Sequence, residues 1–327
     1  MMASTAKYLM NNLLDSTRKA PSTECLYRFG LIADVQHADI PDGYNFSKTK
    51  KRYYRNSLTL LQQAVNVWKQ GKCDCAFQLG DLIDGFSRQG PKWLPGGASS
   101  LLNSKLLSAT SKGCSGVSGR AFYTIVPFPQ FRIIVLDCYE ISLLGTEEDS
   151  PEHSKAWAYL SNNPNEDKNN PDGLDDYDMR FVKFNGAVSS TQLNWLESIL
   201  SESVKNKENV IIMGHNPMYK PSTSPVCLCW NYDEVMDVFN RYGNCVLCYI
   251  AGHDHDSGSA TDPAGILHIT MPGIIEIPPG KNGYAIGKLY QNSLYIEGTG
   301  RMHSYKMDLK YIIEDKTIVL TIIGIII

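Results

Sequence analysis

No run of 18 apolar residues occurs anywhere in the 327-residue chain, so it offers no helix long enough to cross a bilayer. No apolar stretch of signal-peptide length precedes Glu24, and the chain is expected in the cytoplasm. An excess of positive charge is also missing. The 31 Lys and Arg against 34 Asp and Glu leave a formal charge of -3. That balance excludes a general electrostatic binder of nucleic acid, because phosphate neutralisation needs clustered cations. The one dense basic stretch, "SKTKKRYYRNS" (47–57), reads as the solvated first turns of a helix. A disulfide framework is absent too. The nine cysteines are odd in number and spread along the chain, and Cys138, Cys245 and Cys248 lie inside apolar runs. Buried free thiols in a reducing compartment are the simplest account. "CVLC" (245–248) has a zinc-knuckle spacing but sits within a strand-like run, which argues against a structural zinc. Neither an internal repeat nor a linker divides the chain.

What is present is a series of short apolar runs, each ending in polar residues. "LYRFGLIADVQ" (26–36), "DCAFQLGDLIDG" (74–85), "PQFRIIVLDCYE" (129–140), "KENVIIMGHNP" (207–217) and "GNCVLCYIAGHDH" (243–255) read as strands. "GILHITMPG" (265–273) and "NSLYIEGTG" (292–300) add later ones. Between the first two lies "YYRNSLTLLQQAVNVWKQGKC" (53–73), with Leu58, Leu61, Val65 and Trp68 at helical spacing and Gly71 as the expected C-terminal cap. A second amphipathic helix, "SSTQLNWLESILSES" (189–203), is capped by Ser189 or Ser190 and carries Leu193, Leu196, Ile199 and Leu200. Residues 153–181 begin helical and pass into an Asn/Asp/Pro-rich surface loop. Strands alternating with helices predict an α/β fold.

Four of the runs end in candidate ligands: Asp34-Val-Gln36-His37, Gly80-Asp81, Gly214-His215 and Gly252-His253-Asp254-His255. Such groups gather at the carboxyl edge of α/β sheets. On a strand, residues i and i+2 share a face, so Asp34 with Gln36, and His253 with His255, are expected to point at one site, and His37 away from it. A mixture of carboxylate, amide and imidazole suits Mn²⁺, Fe²⁺ or Zn²⁺ better than Ca²⁺. Asp84 is expected to orient local structure rather than bind metal.

This order of motifs resembles the calcineurin-like metallophosphoesterases. A closer resemblance is to the manganese-dependent ADP-ribose/CDP-alcohol diphosphatases, carried by "FGLIADVQHADIPDGYNF", "KRYYRNSL", "LGDLIDG", "VPFPQFRIIVLD", "FNGAVSSTQLNWL", "VCLCWNY" and "AGHDHD" over roughly residues 28 to 310. The resemblance implies a four-layer αββα sandwich of two mixed β-sheets flanked by helices. It divides the chain into an N-terminal extension (1–24), one metallophosphoesterase domain (25–310) and an atypical apolar tail (311–327). It implies two divalent ions, manganese foremost, with zinc, magnesium or iron as alternatives. Asp34, Gln36 and His255 would hold the first ion, Asp81 would bridge both, and His215 and His253 would hold the second. Asp81 and His215 would be the catalytic residues. Tyr44, Phe46, Trp230, Asn231 and Tyr232 could form the pocket for base and alcohol, or serve simply as core. The implied reaction cleaves the diphosphate of ADP-ribose, CDP-choline or CDP-glycerol. It requires neither nucleic acid nor a membrane as partner, and a monomer is expected.

One departure stands out. The family has a Gly-Asn-His-Glu motif on the strand after Gly-Asp, whose asparagine binds the second metal and whose histidine lies beside the scissile phosphate. The present sequence contains no Asn-His dipeptide, and "GDLIDG" runs directly into "FSRQGPKWLPGG". An internal deletion near residues 85–87 accounts for this. Two rival readings follow: a catalytically inactive truncated form, and a phosphomonoesterase or nuclease on the same scaffold.

Overall fold

A computed structural model of the chain describes residues 24–45, 47–86, 114–116 (backbone only), 121–144 and 146–313. Phe46, all but Glu24 of the N-terminal extension, and the apolar tail beyond Ile313 lie outside the described residues.

The strands, in chain order, are β1 (Tyr27–Ile32), β2 (Gly43–Tyr44), β3 (Lys51–Arg52), β4 (Cys75–Gln78), β5 (Cys114–Gly116), β6 (Tyr123–Phe128), β7 (Phe131–Val135), β8 (Asn209–Met213), β9 (Val246–Ala251), β10 (Asp256–Thr261), β11 (Leu267–Pro272), β12 (Gly283–Leu289), β13 (Ser293–Gly300) and β14 (Tyr305–Asp308). The helices are α1 (Tyr54–Gln70), α2 (Pro151–Leu160), α3 (Ser190–Lys205) and α4 (Tyr232–Arg241). One sheet has the order β14-β13-β12-β1-β4, the other β10-β11-β9-β8-β7-β6-β5, and β2 pairs with β3 as a separate ribbon. Both large sheets are mixed. β1 runs parallel to β4, and β7, β8, β9 and β11 run parallel to one another, while their remaining pairings are antiparallel.

The layers follow from strand alternation. Ile211 and Met213 of β8 join Leu31, Phe77, Ile133 and Ile250 in a core between the two sheets. Their neighbours Val210 and Ile212 face outward, against Leu196 and Leu200 of α3 and Val235 and Phe239 of α4. On the outer face of the five-stranded sheet, Leu60, Ala64 and Trp68 of α1 pack on Ile32 and Ile286. The result is helix, sheet, sheet, helix, as the resemblance implied. Because successive side chains on one strand serve different cores, β8 after Asn209 and all of β9 are apolar, and both strands are buried on both faces.

Several local expectations need adjustment. The sheet-facing side of α1 is built on Tyr54, Ser57, Leu60, Ala64 and Trp68, and Leu58 is exposed. Gly71 does close α1 through its N–H to Val67 O, but at φ -74°, so the left-handed step falls on Lys72 at φ 52°. Ser189 is the α3 cap, its hydroxyl accepting from Gln192 N. Cys245 and Cys248 face opposite cores and cannot share a metal.

One buried ion pair ties the sheet to α3. Arg132 on β7 makes a two-pronged contact with Glu208, at 2.6 and 3.1 Å, and reaches Glu202 near the end of α3 at 3.0 Å. Both Arg132 and Glu208 are buried. Replacing Arg132 with Ala strands the Glu208 carboxylate, and breaking such a pair costs about 3–5 kcal/mol. The urea unfolding midpoint of Arg132→Ala is therefore expected to fall well below that of the wild type. An unchanged midpoint would show that Glu208 finds solvent or another partner.

Candidate metal centre

The loops at the ends of β1, β4, β8 and β9 meet where the two sheets approach. Asp34 N bonds Gly80 O at 3.3 Å, and Gln36 N bonds Asp81 O at 2.7 Å, which stitches the β1 loop to the β4 loop. Gly252 N bonds His215 O at 3.0 Å and stitches the β8 loop to the β9 loop. A side-chain bond crosses between sheets: His253 N donates to Asp34 Oδ2 at 2.9 Å.

Asp34 and Gln36 converge for a reason other than strand alternation. β1 ends at Ile32 and β9 at Ala251, so all the candidate ligands on them lie beyond regular strand. Asp34, Gln36, Asp81 and His253 adopt left-handed backbone, at φ 51°, 41°, 52° and 69°. That conformation costs of order 1–3 kcal/mol at a non-glycine residue and gathers at functional sites. The motif glycines admit neighbouring ligands. A Cβ on Gly80, itself at φ +108°, would lie 2.1 Å from His215 Nδ1, and one on Gly252 would lie 2.6 Å from Asp34 Oδ2.

Ligand atoms of Asp34, Asp81 and His215 all lie within 4.8 Å of one another. His215 Nε2 is 3.9 Å from Asp34 Oδ1 and 3.7 Å from Asp81 Oδ2. His255 Nε2 is 3.5 Å from Asp34 Oδ1. Gln36 Nε2 is 2.9 Å from Asp81 Oδ2 and 3.3 Å from His255 Nε2. His253 Nδ1 is 3.1 Å from His215 Nε2. All six expected ligands are thus brought together. Asp81 is the most open of them, its side chain 42% exposed, whereas Asp34 is fully buried. His37 turns away, its Nδ1 at 3.0 Å from Tyr54 O. Asp84 accepts from Phe86 N and orders its own turn.

The donor set fits divalent cations. Asp34 Oδ1 and Gln36 Oε1 are buried without a hydrogen-bond partner, and such orphaned oxygens are costly unless something positive meets them. Outer groups aim the rings. His215 Nδ1 donates to Leu79 O at 2.6 Å, and His255 Nδ1 to Glu276 Oε1 at 2.9 Å, so each offers Nε2 to the centre. Burial alone would raise the Asp34 pKa, but the facing His255 ring, 3.5 Å from Oδ1, and the charges of His215, His255 and His253 outweigh it and hold the carboxyl low. Burial alone would lower the His255 pKa, but the facing carboxylates of Asp34 and Glu276 hold it up at about 9. Burial and the neighbouring His215 push His253 well below its ordinary value.

Sequence reasoning missed Glu276, Asn185, Tyr139 and Phe184. Tyr139 packs on the His215 ring at 5.6 Å and donates to Phe184 O, and Phe184 packs on His253 at 5.8 Å. Phe184 and Asn185 lie in the "FNGAVSS" stretch (184–190) that carried the resemblance, whereas nothing local marks Glu276 in "GIIEIPP" (273–279). Of the residues expected to form the pocket or serve as core, Trp230 and Asn231 lie in the interior. Trp230 is 1% exposed and packs in a core cluster with Leu160 and Phe181. Asn231 is buried and bonds Val188 N and O, joining chain segments rather than facing solvent. Tyr232 stacks on Tyr177 at 5.7 Å, and Tyr44 is exposed on β2.

A two-sheet sandwich with acid, amide and imidazole converging at its strand ends is the architecture of a metallophosphoesterase. Comparisons with known proteins agree. Residues 137–257 match the calcineurin-like phosphoesterase family. The chain is 38% identical to the manganese-dependent ADP-ribose/CDP-alcohol diphosphatase of Danio rerio over 311 positions, covering 85% of this chain and 96% of that protein. The Homo sapiens protein of the same name is 36% identical, with 88% and 94% covered. A crystal structure of a dimetal phosphatase from Danio rerio superposes with a TM-score of 0.77 at 36% identity, covering 88% of this chain and all of that one. The chain belongs to the calcineurin-like phosphoesterases, in the family of the manganese-dependent ADP-ribose/CDP-alcohol diphosphatases. The Danio rerio alignment is longer than the share of this chain it covers, so that relative has residues with no counterpart here. No helix among the described residues is long and apolar enough to cross a membrane.

A cation entering this centre must displace the proton on His255 Nε2. With the His255 pKa at about 9, the ring is protonated at pH 7 and loses its charge as pH rises through that value. Mn²⁺ binding at pH 7 is therefore expected to release about one proton, and affinity to rise with pH up to about 9. Calorimetry in buffers of different ionisation enthalpy measures the release. A binding enthalpy independent of buffer would show that His255 is not displaced.

Proposed function

We propose that the chain is a metal-dependent phosphohydrolase. It would cleave the diphosphate of ADP-ribose, CDP-choline or CDP-glycerol into a nucleoside monophosphate and a phosphorylated sugar or alcohol. The observation that carries this reading is the convergence of Asp34, Asp81 and His215 on one point, in a chain with diphosphatase relatives along most of its length. Asp34, Gln36 and His255 would hold one divalent ion, His215 and His253 a second, and Asp81 would bridge them. When bound, the ions, manganese foremost, would neutralise phosphoryl charge and activate the attacking water. The one open carboxylate, Asp81, would repel an anionic substrate in the absence of cations, so substrate binding would depend on them. Asp81, at the open side of the centre, would meet the phosphoryl group, and Leu79 O and Glu276 would keep His215 and His255 aimed. The net charge of -3 supports a small-molecule substrate over nucleic acid, and the reading is completed by a cytoplasmic monomer with no membrane partner.

A second reading is favoured by a specific observation. No Asn-His dipeptide exists in the chain, so one ligand of the second ion and the group beside the phosphate are missing. We infer that the chain as it stands is severely impaired. Loss of one transition-state donor costs about 10²–10³ in rate.

The test compares this protein with a variant carrying the Danio rerio relative's extra segment after Gly85, both assayed with Mn²⁺. The variant is expected to hydrolyse ADP-ribose or CDP-choline about 10²–10³ faster. Comparable turnover in the two overturns the impairment. Faster turnover of p-nitrophenyl phosphate than of either nucleotide by the variant overturns the diphosphatase reading in favour of a phosphomonoesterase.

A further inference from the structure

Nothing so far explains why His253 should present one particular nitrogen to the centre. Its other nitrogen, Nε2, lies 2.6 Å from Asn185 Oδ1. Asn185 is fully buried in the segment between α2 and α3. Its amide orientation is set by two carbonyls on separate segments: Nδ2 donates to Arg180 O at 2.8 Å and to Val226 O at 2.7 Å. Carbonyls only accept, so both amide hydrogens are consumed and the oxygen has to face His253. There it also accepts from Asn216 Nδ2 at 3.2 Å. Turning the amide over would set its oxygen against both carbonyl oxygens, which the network forbids.

Asn185 Oδ1 therefore acts as an acceptor, and His253 Nε2 must carry the hydrogen. The neutral ring then has a bare lone pair on Nδ1. On the far side of the centre, His215 Nδ1 donates to Leu79 O, so the neutral His215 ring has its lone pair on Nε2. These two nitrogens face each other at 3.1 Å. Two lone pairs at that distance repel unless a positive species lies between or beside them. The frustration is imposed from outside, by Leu79 O on one ring and Asn185 on the other.

We propose that Asn185 is a positioning residue that fixes His253 in the Nε2–H form and so turns its Nδ1 lone pair, beside His215 Nε2, toward a divalent cation. The proposal rests on reading this centre as a metal site and goes beyond it by naming a residue outside every motif that supplies ligands. It accounts for an asparagine buried there with all its polar atoms bonded. It also gives the centre histidines of both hands, with His215 and His255 offering Nε2 and His253 offering Nδ1. Orienting partners of this kind are typically worth about 10–100-fold in metal affinity.

The direct test needs no substrate. Long-range ¹H–¹⁵N correlation spectra of the metal-free, ¹⁵N-histidine-labelled protein read which ring nitrogen carries the proton. His253 is expected to show a protonated Nε2 and a bare Nδ1. In Asn185→Ala that preference should be lost and Mn²⁺ affinity should fall about 10–100-fold, while the His255 signal, governed by Glu276, stays unchanged and reports an intact fold. A protonated Nδ1 on His253 in the wild type overturns the proposal. So does an Asn185→Ala protein that keeps both the tautomer and the affinity. If Asn185→Ala does not fold, the wild-type spectrum alone decides. Metal binding and the stated tautomer without diphosphate hydrolysis by the segment-restored protein would count against the proposed reaction and leave the role of Asn185 standing.

Discussion

The Asp34 carboxylate holds the two sheets in register at the place where they open. It belongs to the five-stranded sheet, yet its Oδ2 accepts from the backbone of His253 on the other sheet, and its Oδ1 faces His215 and His255. It has no access to solvent. A lone carboxylate in that position carries a desolvation penalty of several kcal/mol, and only positive charge or donors gathered from both sheets offset it. The backbone on either side is pinned as well, with Ile274 N and Ile275 N donating to Ala33 O and Asp34 O. The centre is thus a condition of how the sheets meet, and its charge is balanced either by protons on the surrounding rings or by a cation that replaces them.

The left-handed turns at Asp34, Gln36, Asp81 and His253 follow from the same constraint. A strand that continued in extended form would carry its side chains past the centre. A sharp turn directly after the last ladder residue folds them back onto one point. Gly80 and Gly252 then remove the Cβ atoms that would occupy the space of His215 and Asp34. The pairing of glycine with a ligand in Gly-Asp and Gly-His-x-His is therefore a packing relation between different loops. Each glycine makes room for a ligand from another motif.

This explains what could be read from the sequence. The buried strands β1, β7, β8 and β9 show as largely apolar runs, and the candidate ligands after β1, β8 and β9 are visible because the runs stop there. The convergence of Asp34 with Gln36 was expected from strand alternation and arises instead from left-handed turns beyond the strand. β10, with the polar sequence DSGSAT, and β12, with two glycines, form because apolar neighbours in their sheets supply the burial, and no local pattern announces them. Trp230 and Asn231 look like pocket residues in "CWNY", but the fold uses the indole as core and the amide as a brace. Asn185 and Glu276 act only through contacts with residues 68 and 21 positions away, and spacing along the chain carries no trace of that.

The elements that carry the centre can be placed in these terms. Among the described residues β4 ends the five-stranded sheet, and the chain leaves the described region shortly after it, at Phe86. The candidate ligands follow β1, β4, β8 and β9, and the groups that orient their rings come from the β4 loop, the segment before α3 and the turn after β11. The core between the sheets likewise closes on Phe77 and Leu79 of the β4 segment. The Asp34 carboxylate and the rings of His215, His253 and His255 therefore meet through contacts that lie wholly among the described residues, and the packing of the two sheets brings them together.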